Sequence, residues 1–141
     1  MSDENPDELF GDEHVARYRE TDGEVDHDWR GATVLLLTTR GRKSGEDRTQ
    51  ALIQREVDGS YVIVASKGGA PQHPGWFLNM QEQDEVDVQV RGDRFKARHR
   101  VAEGEERERL WGLMTEVWPD YDGYQQRTDR EIPIVVLERA A

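Results

Sequence analysis

The chain has no cysteine and little lysine. Cysteine is absent from its 141 residues, which excludes disulfides and thiolate chemistry and is compatible with a reducing cytoplasm. Lysine occurs only at Lys43, Lys67 and Lys96, so arginine supplies most of the positive charge. No hydrophobic run approaches the ~20 residues of a membrane-spanning helix, and the N-terminus lacks the basic and apolar regions of a secretory signal. We therefore predict a cytoplasmic protein with no stable membrane insertion.

Positive charge is scarce in total as well. The chain carries 30 Asp and Glu against 19 Lys and Arg, a formal net charge of −11. Duplex nucleic acid and anionic membranes are disfavoured as partners, because both attract basic surfaces. The acidic residues are spread along the chain, which suits solubility at high salt, where screening weakens self-repulsion. This pattern favours a halophilic host over an acidic mesophilic protein, and it identifies no carboxylate pair as a catalytic dyad.

The histidines carry little information about chemistry. Their spacing is typical neither of a metal site nor of a Ser-His-Asp arrangement. They are His14, His27, His73 and His99. We predict no metal centre, and we expect His73 to be solvent-exposed.

The apolar pattern predicts a single mainly β domain. Residues 1–12 are polar and predicted to be a flexible acidic N-terminus, and residues 13–141 form the domain. Strands are predicted over residues 32–40, 48–57, 61–66, 85–91, 94–102 and 132–138. Helices are predicted over 13–20, 73–83 and 103–117, with turns at 22–23, 58–59 and 92–93 and loops over 41–45, 67–72 and 118–130. Six strands joined mostly by short turns favour an antiparallel sheet curled into a barrel with helices at its ends.

A small basic loop stands out in this acidic chain. Gly41-Arg42-Lys43-Ser44-Gly45 follows a buried-looking strand, and Arg48 lies just beyond it. The glycines leave the backbone accessible, so basic side chains and N–H groups can converge on a phosphate or carboxylate. The loop is not a nucleotide P-loop, because the Lys-Ser pair precedes the second glycine. The alternative interpretation is a set of solubilising charges on a hairpin.

Four motifs in series resemble the deazaflavin-dependent nitroreductase family. The first covers residues 38–45 with Arg48, the second is Val64-Ala65-Ser66-Lys67-Gly68-Gly69, and the third is Pro74-Gly75-Trp76-Phe77-Leu78-Asn79. The fourth covers residues 121–125, 128–130 and 132–136. The resemblance extends from about Trp29 to Leu137. It implies a split β-barrel that binds reduced coenzyme F420, which carries a deazaflavin ring, a phosphate and a polyglutamate tail. The implied reaction is hydride transfer to a quinone, a nitro compound or an activated enone.

The resemblance also implies site residues. The basic loop, Arg42, Lys43, Ser44 and Arg48, would bind the phosphate and the tail. The segment Ser66, Lys67, Gly68 and Gly69 would approach the ring or the phosphate, unless it is an ordinary glycine-rich turn. Trp76 and Asn79 share one helical face. Trp76 would form a wall of the ring site, unless it is a core residue. Asn79 would orient a backbone segment, unless it is a structural cap.

The acceptor pocket is assigned to three aromatic residues. Trp118, Tyr121 and Tyr124 would line it, with Tyr121 and Tyr124 as catalytic residues, unless the three form a structural lid. Trp118 stands where relatives tend to carry tyrosine, which puts the acceptor range in question. Two other functions compete with an F420-dependent reductase: an FMN-dependent enzyme on the same barrel, and a non-catalytic F420 carrier. The sequence leaves the physiological acceptor and the oligomeric state open.

Overall fold

The computed structural model describes residues 12–24, 28–29 and 32–140. The segment 1–12, predicted to be flexible, lies outside these residues except for its last position. The helices are α1 (Asp12–Thr21), α2 (Gly75–Met80), α3 (Gly104–Val117) and α4 (Asp120–Gln126), with a 3-10 turn at Lys67–Gly69. The strands are β1 (Asp28–Trp29), β2 (Ala32–Arg40), β3 (Asp47–Val57), β4 (Ser60–Val64), β5 (Glu85–Val90), β6 (Asp93–Val101) and β7 (Ile134–Arg139).

Six antiparallel strands close into a barrel, as predicted. The sheet runs β2-β3-β4-β7-β6-β5, and β5 pairs again with β2 at Leu37↔Val88, which closes it. The short strand β1 adds to the start of β2 at Trp29↔Ala32. Every pairing is antiparallel, and short connections join β2 to β3, β3 to β4 and β5 to β6.

The barrel is open between β3 and β4. These strands pair only near their hairpin, from Val57↔Ser60 to Arg55↔Val62. The first two-thirds of β3 pairs with β2 on its other side, while β4 turns to pair with β7. Among the described residues, no strand pairs with the β4-facing edge of β3 over residues 47–54. A split therefore remains in the barrel, and the chain that follows β4 borders it.

The barrel wall is buried on both faces, which explains the continuous apolar run in β2. Leu35 and Leu37 point into the interior cluster, which the side chains of Phe77 and Met80 from α2 also fill. Leu36 points outward and is covered by Tyr18 of α1. A second outer face, on β4 and β7, packs against α3 and α4. These helices and strands place α2, α4 and the 3-10 turn around the split.

Two turns show how local sequence sets the hairpins. Asp58 and Gly59 both have positive φ, 53° and 84°, as a two-residue Asp-Gly hairpin requires. The turn predicted at residues 92–93 instead uses Arg91 and Gly92, because Val90 pairs with Asp93. Arg91 therefore takes a left-handed φ of 53°. This conformation is uncommon for residues other than glycine, asparagine and aspartate, so the sequence did not predict it.

The prediction of a loop over residues 118–130 is wrong, because α4 occupies the middle of this stretch, residues 120–126. Glycine and two aspartates give this stretch weak helix propensity. Pro119 at the N-cap has φ −57°, which suits a helix start. Tyr121 is then buried against α3 and the barrel wall. Tertiary burial, which local propensity does not show, therefore stabilises α4.

The other boundary differences are small. The helix predicted over 73–83 is confined to α2, and β4 ends two residues before the predicted end at residue 66. Ser66 already has αR dihedrals because the 3-10 turn begins after it. In the described part of the chain, the longest helix is α3 with 14 residues, and none is long and apolar enough to cross a membrane.

Candidate functional site

A cavity of about 510 Å³ occupies the split in the barrel. Its walls are the open edge of β3, the end of β4 with the 3-10 turn, the start of α2, and the aromatic face of α4. The lining residues are Gln50, Ala51, Leu52, Ile53, Val64, Ser66, Lys67, Gly68, Pro74, Gly75, Trp76, Trp118, Tyr121, Tyr124 and Arg127.

The β3 wall is a strand edge rather than one face of a strand. Four consecutive residues, from Gln50 to Ile53, line the cavity. Successive side chains of a strand point to opposite faces. Both faces and the backbone between them therefore border the space, which follows from the missing β3–β4 pairing.

The 3-10 turn runs through three consecutive left-handed residues. Lys67, Gly68 and Gly69 have φ of 47°, 63° and 85°. A Cβ on Gly68 would meet open space, whereas a Cβ on Gly69 would lie 2.6 Å from the main-chain oxygen of Tyr124. Gly68 thus faces the cavity, and Gly69 lets the turn pack directly on α4. Left-handed backbone is costly for Lys67, so the surrounding structure must hold the turn.

The opposite wall is aromatic. Trp76 is buried and belongs both to the interior core and to the cavity lining. Tyr121 and Tyr124 are neighbours on α4, with ring centroids 6.1 Å apart in an edge-on arrangement. Trp118 donates from Nε1 to the Tyr124 hydroxyl at 3.3 Å. This wall provides flat apolar surface with one hydroxyl held by a defined donor.

Burial keeps Tyr121 protonated. Its side chain is 4% exposed, and desolvation, with a smaller contribution from Tyr124, raises the pKa of Tyr121 well above its usual value. A neutral Tyr121 can pack against a ligand and cannot act as a base near neutral pH.

The charged residues of the cavity lining are both cations. Lys67 and Arg127 line it, and among the described lining residues there is no Asp or Glu. The Arg127 guanidinium lies 5.6 Å from the centroid of the Tyr124 ring and donates weakly to the Gly68 carbonyl at 3.4 Å. The cavity is therefore a locally positive site in a protein with a formal net charge of −11.

The basic loop docks at the rim of this cavity. Asn79 Oδ1 accepts from the Arg42 main-chain N–H at 3.1 Å and from Arg42 Nη1 at 2.9 Å. Arg42 Nη1 also reaches the carbonyl of Gly75, a lining residue, at 3.5 Å. The buried Asn79 donates to Thr39 Oγ1 at 3.3 Å. Asn79 therefore connects the basic loop to α2 by hydrogen bonds, and it does not line the cavity.

The loop itself is closed by local hydrogen bonds. Gly41 N–H donates to the Glu46 carbonyl at 2.7 Å, and Gly45 N–H donates to the Gly41 carbonyl at 2.8 Å. Ser44 Oγ accepts from the Glu46 N–H at 3.1 Å, so part of its capacity is used within the loop. Arg42, Lys43 and Arg48 are exposed. All three lie outside the cavity lining, and Arg42 is the one that the hydrogen bonds to Asn79 and Gly75 place at its rim.

Arg48 shares a strand face with two lining residues. Gln50 and Leu52 follow it at positions two and four along β3, and side chains repeat with period two on a strand. The row from Leu52 to Arg48 therefore leads from the cavity towards the basic loop.

The predicted site residues fall into two groups. Those that line one cavity are Ser66, Lys67, Gly68, Trp76, Trp118, Tyr121 and Tyr124. Those outside its lining are Arg42, Lys43, Ser44, Arg48, Gly69 and Asn79. The functional roles of both groups stay predictions.

Sequence reasoning gave no role to Gln50, Arg127 or Arg130. Gln50 carries no sequence signal, because only the open strand edge brings it to the cavity. Arg127 follows the aromatic residues within the stretch predicted as a loop. Arg130 lies in the Thr128-Asp129-Arg130 motif, and its guanidinium reaches the carbonyls of Ser66 and Ala70, which lie on either side of the 3-10 turn.

His73 is half-buried, which corrects the expectation that it is exposed. Its ring packs against Phe77 with centroids 4.9 Å apart. Burial, and secondarily the positive charge of Arg130, lower the pKa of His73. Within the described residues no cluster of three or more His, Asp or Glu side chains could hold a metal ion.

Comparison with known proteins gives a consistent result. The family model described as F420H(2)-dependent quinone reductase matches residues 11–139. An F420H(2)-dependent quinone reductase of Mycobacterium tuberculosis is 39% identical over 130 residues, covering 89% of this chain and 87% of that protein.

Solved structures agree in sequence and in fold. An F420-H2 dependent reductase shares 43% identity with a TM-score of 0.68, covering 77% of this chain and 95% of that one. A structure described as a domain-swapped dimer shares 42% identity with a TM-score of 0.71, covering 89% of this chain and 95% of that one.

Proposed function

Because the chain belongs to the F420H(2)-dependent quinone reductase family, we propose that it reduces a quinone with reduced coenzyme F420 in the cavity of the split barrel. The observation that carries this proposal is an aromatic cavity whose described charged lining residues are both cations, in a strongly acidic protein. The family supports the deazaflavin coenzyme and gives no support to the FMN alternative.

The residues present fit this coenzyme. Trp76 and the aromatic face of α4 offer flat apolar surface for a planar ring, and Lys67 and Arg127 complement its negative charges. The cavity volume of about 510 Å³ lies within the usual range for ligand sites, about 300–1,000 Å³. Reduced F420 supplies the hydride when it is bound.

We assign the anionic tail to the basic loop. Arg42, Lys43 and Arg48 are exposed and lie outside the cavity lining, and Asn79 fixes Arg42 at the rim of the cavity. A carboxylate or phosphate leaving the cavity by Gly75 would meet Arg42 next. Long-range attraction also matters here, because the rest of the protein repels anions.

We assign acceptor activation to the Tyr124 hydroxyl. Its oxygen accepts from Trp118 Nε1, so its own proton is free to donate to a quinone oxygen as negative charge develops there. The Arg127 guanidinium lies 5.6 Å from the centroid of the same ring and adds positive charge on that side of the cavity. Tyr121 is neutral and buried, and its role is to support Tyr124 and the acceptor by packing.

Binding and turnover separate the alternatives. The protein is titrated with F420, FMN and NADPH, and quinones are then screened with the coenzyme that binds. We expect tight binding of F420 alone and quinone reduction. Preference for FMN would contradict the coenzyme assignment, and F420 binding without turnover of any quinone would indicate a carrier. Reduction of nitro compounds and activated enones stays a prediction for the same screen.

A further inference from the structure

Arg130 joins the end of β4, the 3-10 turn and the segment before α2. Its Nη2 donates to the Ser66 carbonyl at 2.8 Å, and its Nε donates to the Ala70 carbonyl at 2.9 Å. Its Nη1 donates to the Ala65 carbonyl at 3.2 Å. One guanidinium therefore binds main-chain oxygens on both sides of the left-handed residues Lys67–Gly69.

The fourth contact of Arg130 is to a titratable side chain. Nη1 lies 3.1 Å from His73 Nδ1. Arginine has donors and no acceptor, so Nδ1 must accept and the ring must be neutral with its proton on Nε2. A second proton on His73 would remove this acceptor and place two positive charges in contact.

We propose that Arg130 is a positioning residue that holds the Lys67–Gly69 turn in its coenzyme-binding conformation, and that this brace requires a neutral His73. The proposal rests on the proposed function, since it concerns the coenzyme site. Arg130 does not line the cavity, and it acts through Ser66, Lys67 and Gly68, which do.

The geometry explains why an arginine is needed. Consecutive left-handed residues are unfavourable for Lys67, and within the turn Gly69 N–H and Ala70 N–H supply only one bond each, to Ser66 and Lys67 carbonyls. A planar fork can bind several carbonyls at fixed angles, whereas a lysine ammonium cannot. The lowered pKa of His73, caused by burial and by Arg130, agrees with a neutral ring at this contact.

Arg107 provides a matched control. It also braces main chain, donating from Nη1 to the Ile132 carbonyl at 2.6 Å, and it pairs with Glu131. Ile132 lies on the same closing segment as Arg130, but these partners of Arg107 lie outside the 3-10 turn. Arg107→Lys therefore measures the effect of replacing a structural arginine in this region.

Hydrogen exchange on the protein without coenzyme tests the brace directly. In Arg130→Lys we expect the Gly69 and Ala70 amides to exchange about tenfold faster, because their turn opens more often. Arg107→Lys should leave these two amides unchanged. Unchanged exchange at Gly69 and Ala70 in folded Arg130→Lys would overturn the proposal, whatever the coenzyme proves to be.

Coenzyme binding tests the consequence. We expect the Kd for F420 to rise about tenfold in Arg130→Lys if the turn is then closed in only about a tenth of the molecules, because the Kd varies inversely with the closed fraction. In Arg107→Lys the Kd should stay within about twofold of wild type. An equal rise of the Kd in both variants would show that Arg130 has only a general structural role, and it would contradict the proposal. If the wild-type protein does not bind F420, the proposed function is wrong. The hydrogen-exchange result would still show whether Arg130 holds the Lys67–Gly69 turn.

The pH dependence tests the role of His73, and it needs no variant of Arg130. The Arg130 guanidinium and the Phe77 ring lie against His73, and His73→Asn keeps an acceptor at the position of Nδ1 that does not titrate. Between pH 8 and pH 5 we expect wild type to lose F420 affinity relative to His73→Asn, and this comparison corrects for ionisation of the coenzyme. Parallel curves for the two proteins would overturn the requirement for a neutral His73.

Discussion

Tyr124 combines an accepted hydrogen bond with a neighbouring cation. Trp118 Nε1 donates to its hydroxyl at 3.3 Å, and the Arg127 guanidinium lies 5.6 Å from its ring centroid. A phenol that accepts in this way donates its own proton more readily, because hydrogen bonds in a chain polarise one another. The Tyr124 hydroxyl oxygen is therefore the atom to which we assign activation of the acceptor.

Tyr124→Phe should lower kcat for quinone reduction and leave the Kd for F420 unchanged. A hydrogen bond to a developing charge contributes about 1.5–3 kcal/mol, so kcat should fall roughly 10- to 150-fold. Tyr61→Phe is the matched control, because Tyr61 stacks on Phe95 and does not line the cavity. Wild-type rates in Tyr124→Phe would place acceptor activation elsewhere, and weaker F420 binding would move Tyr124 to the coenzyme site.

The two glycines of the 3-10 turn should respond differently to alanine. At Gly68 the cost is the left-handed φ alone, about 1–2 kcal/mol of unfolding free energy. At Gly69 the new Cβ would also lie 2.6 Å from the Tyr124 carbonyl oxygen, so the turn and α4 must separate. We expect Gly69→Ala to be the more destabilised variant in urea unfolding. Equal midpoints would contradict the close packing of turn and helix.

The loops and helices around the split determine the positions of the basic and aromatic residues of the site. The basic loop is fixed to α2 through Asn79, and Tyr121 and Tyr124 are fixed by α4. The strands and the Asp-Gly hairpin follow from apolar alternation and turn chemistry, which act locally. The helix α4, the open edge of β3 and the hydrogen bonds of Arg130 depend on tertiary packing, so residue patterns could not predict them.

The double variant Arg42→Ala, Lys43→Ala should bind F420 more weakly and keep its fold. Removing a charge-assisted hydrogen bond to the tail should cost on the order of 1.5–3 kcal/mol of binding free energy. A control with the same charge change is Arg94→Ala, Lys96→Ala, because both residues are exposed on β6 outside the cavity lining. Equal Kd values for the two double variants, measured by titration, would show that net charge rather than the loop attracts the tail.

The whole molecule carries a large excess of negative charge. Its formal net charge is −11, and several of its ion pairs, such as Lys96–Asp87 and Arg94–Asp22, are exposed. Exposed pairs contribute about 0–1 kcal/mol each, so they offset little of the overall repulsion. A halophilic host stays a prediction that stability measurements can address.

Thermal stability should rise as KCl increases from low to molar concentration. Screening shortens the range of repulsion to about 3 Å at 1 M salt, and the relief of repulsion among the scattered acidic residues should exceed the weakening of the few exposed pairs. A Tm that stays flat or falls across the series would contradict the halophilic prediction. Differential scanning calorimetry of the wild-type chain is sufficient.

A single-turnover experiment tests the proposed reaction most directly. Stoichiometric reduced F420 is mixed anaerobically with the protein and menadione, and the absorbance of oxidised F420 is followed against a protein-free mixture and against Tyr124→Phe. We predict rapid oxidation with wild type, slower oxidation with Tyr124→Phe, and one quinone reduced per coenzyme oxidised. Oxidation at the protein-free rate, with F420 bound to the protein, would contradict a quinone reductase site in the split barrel.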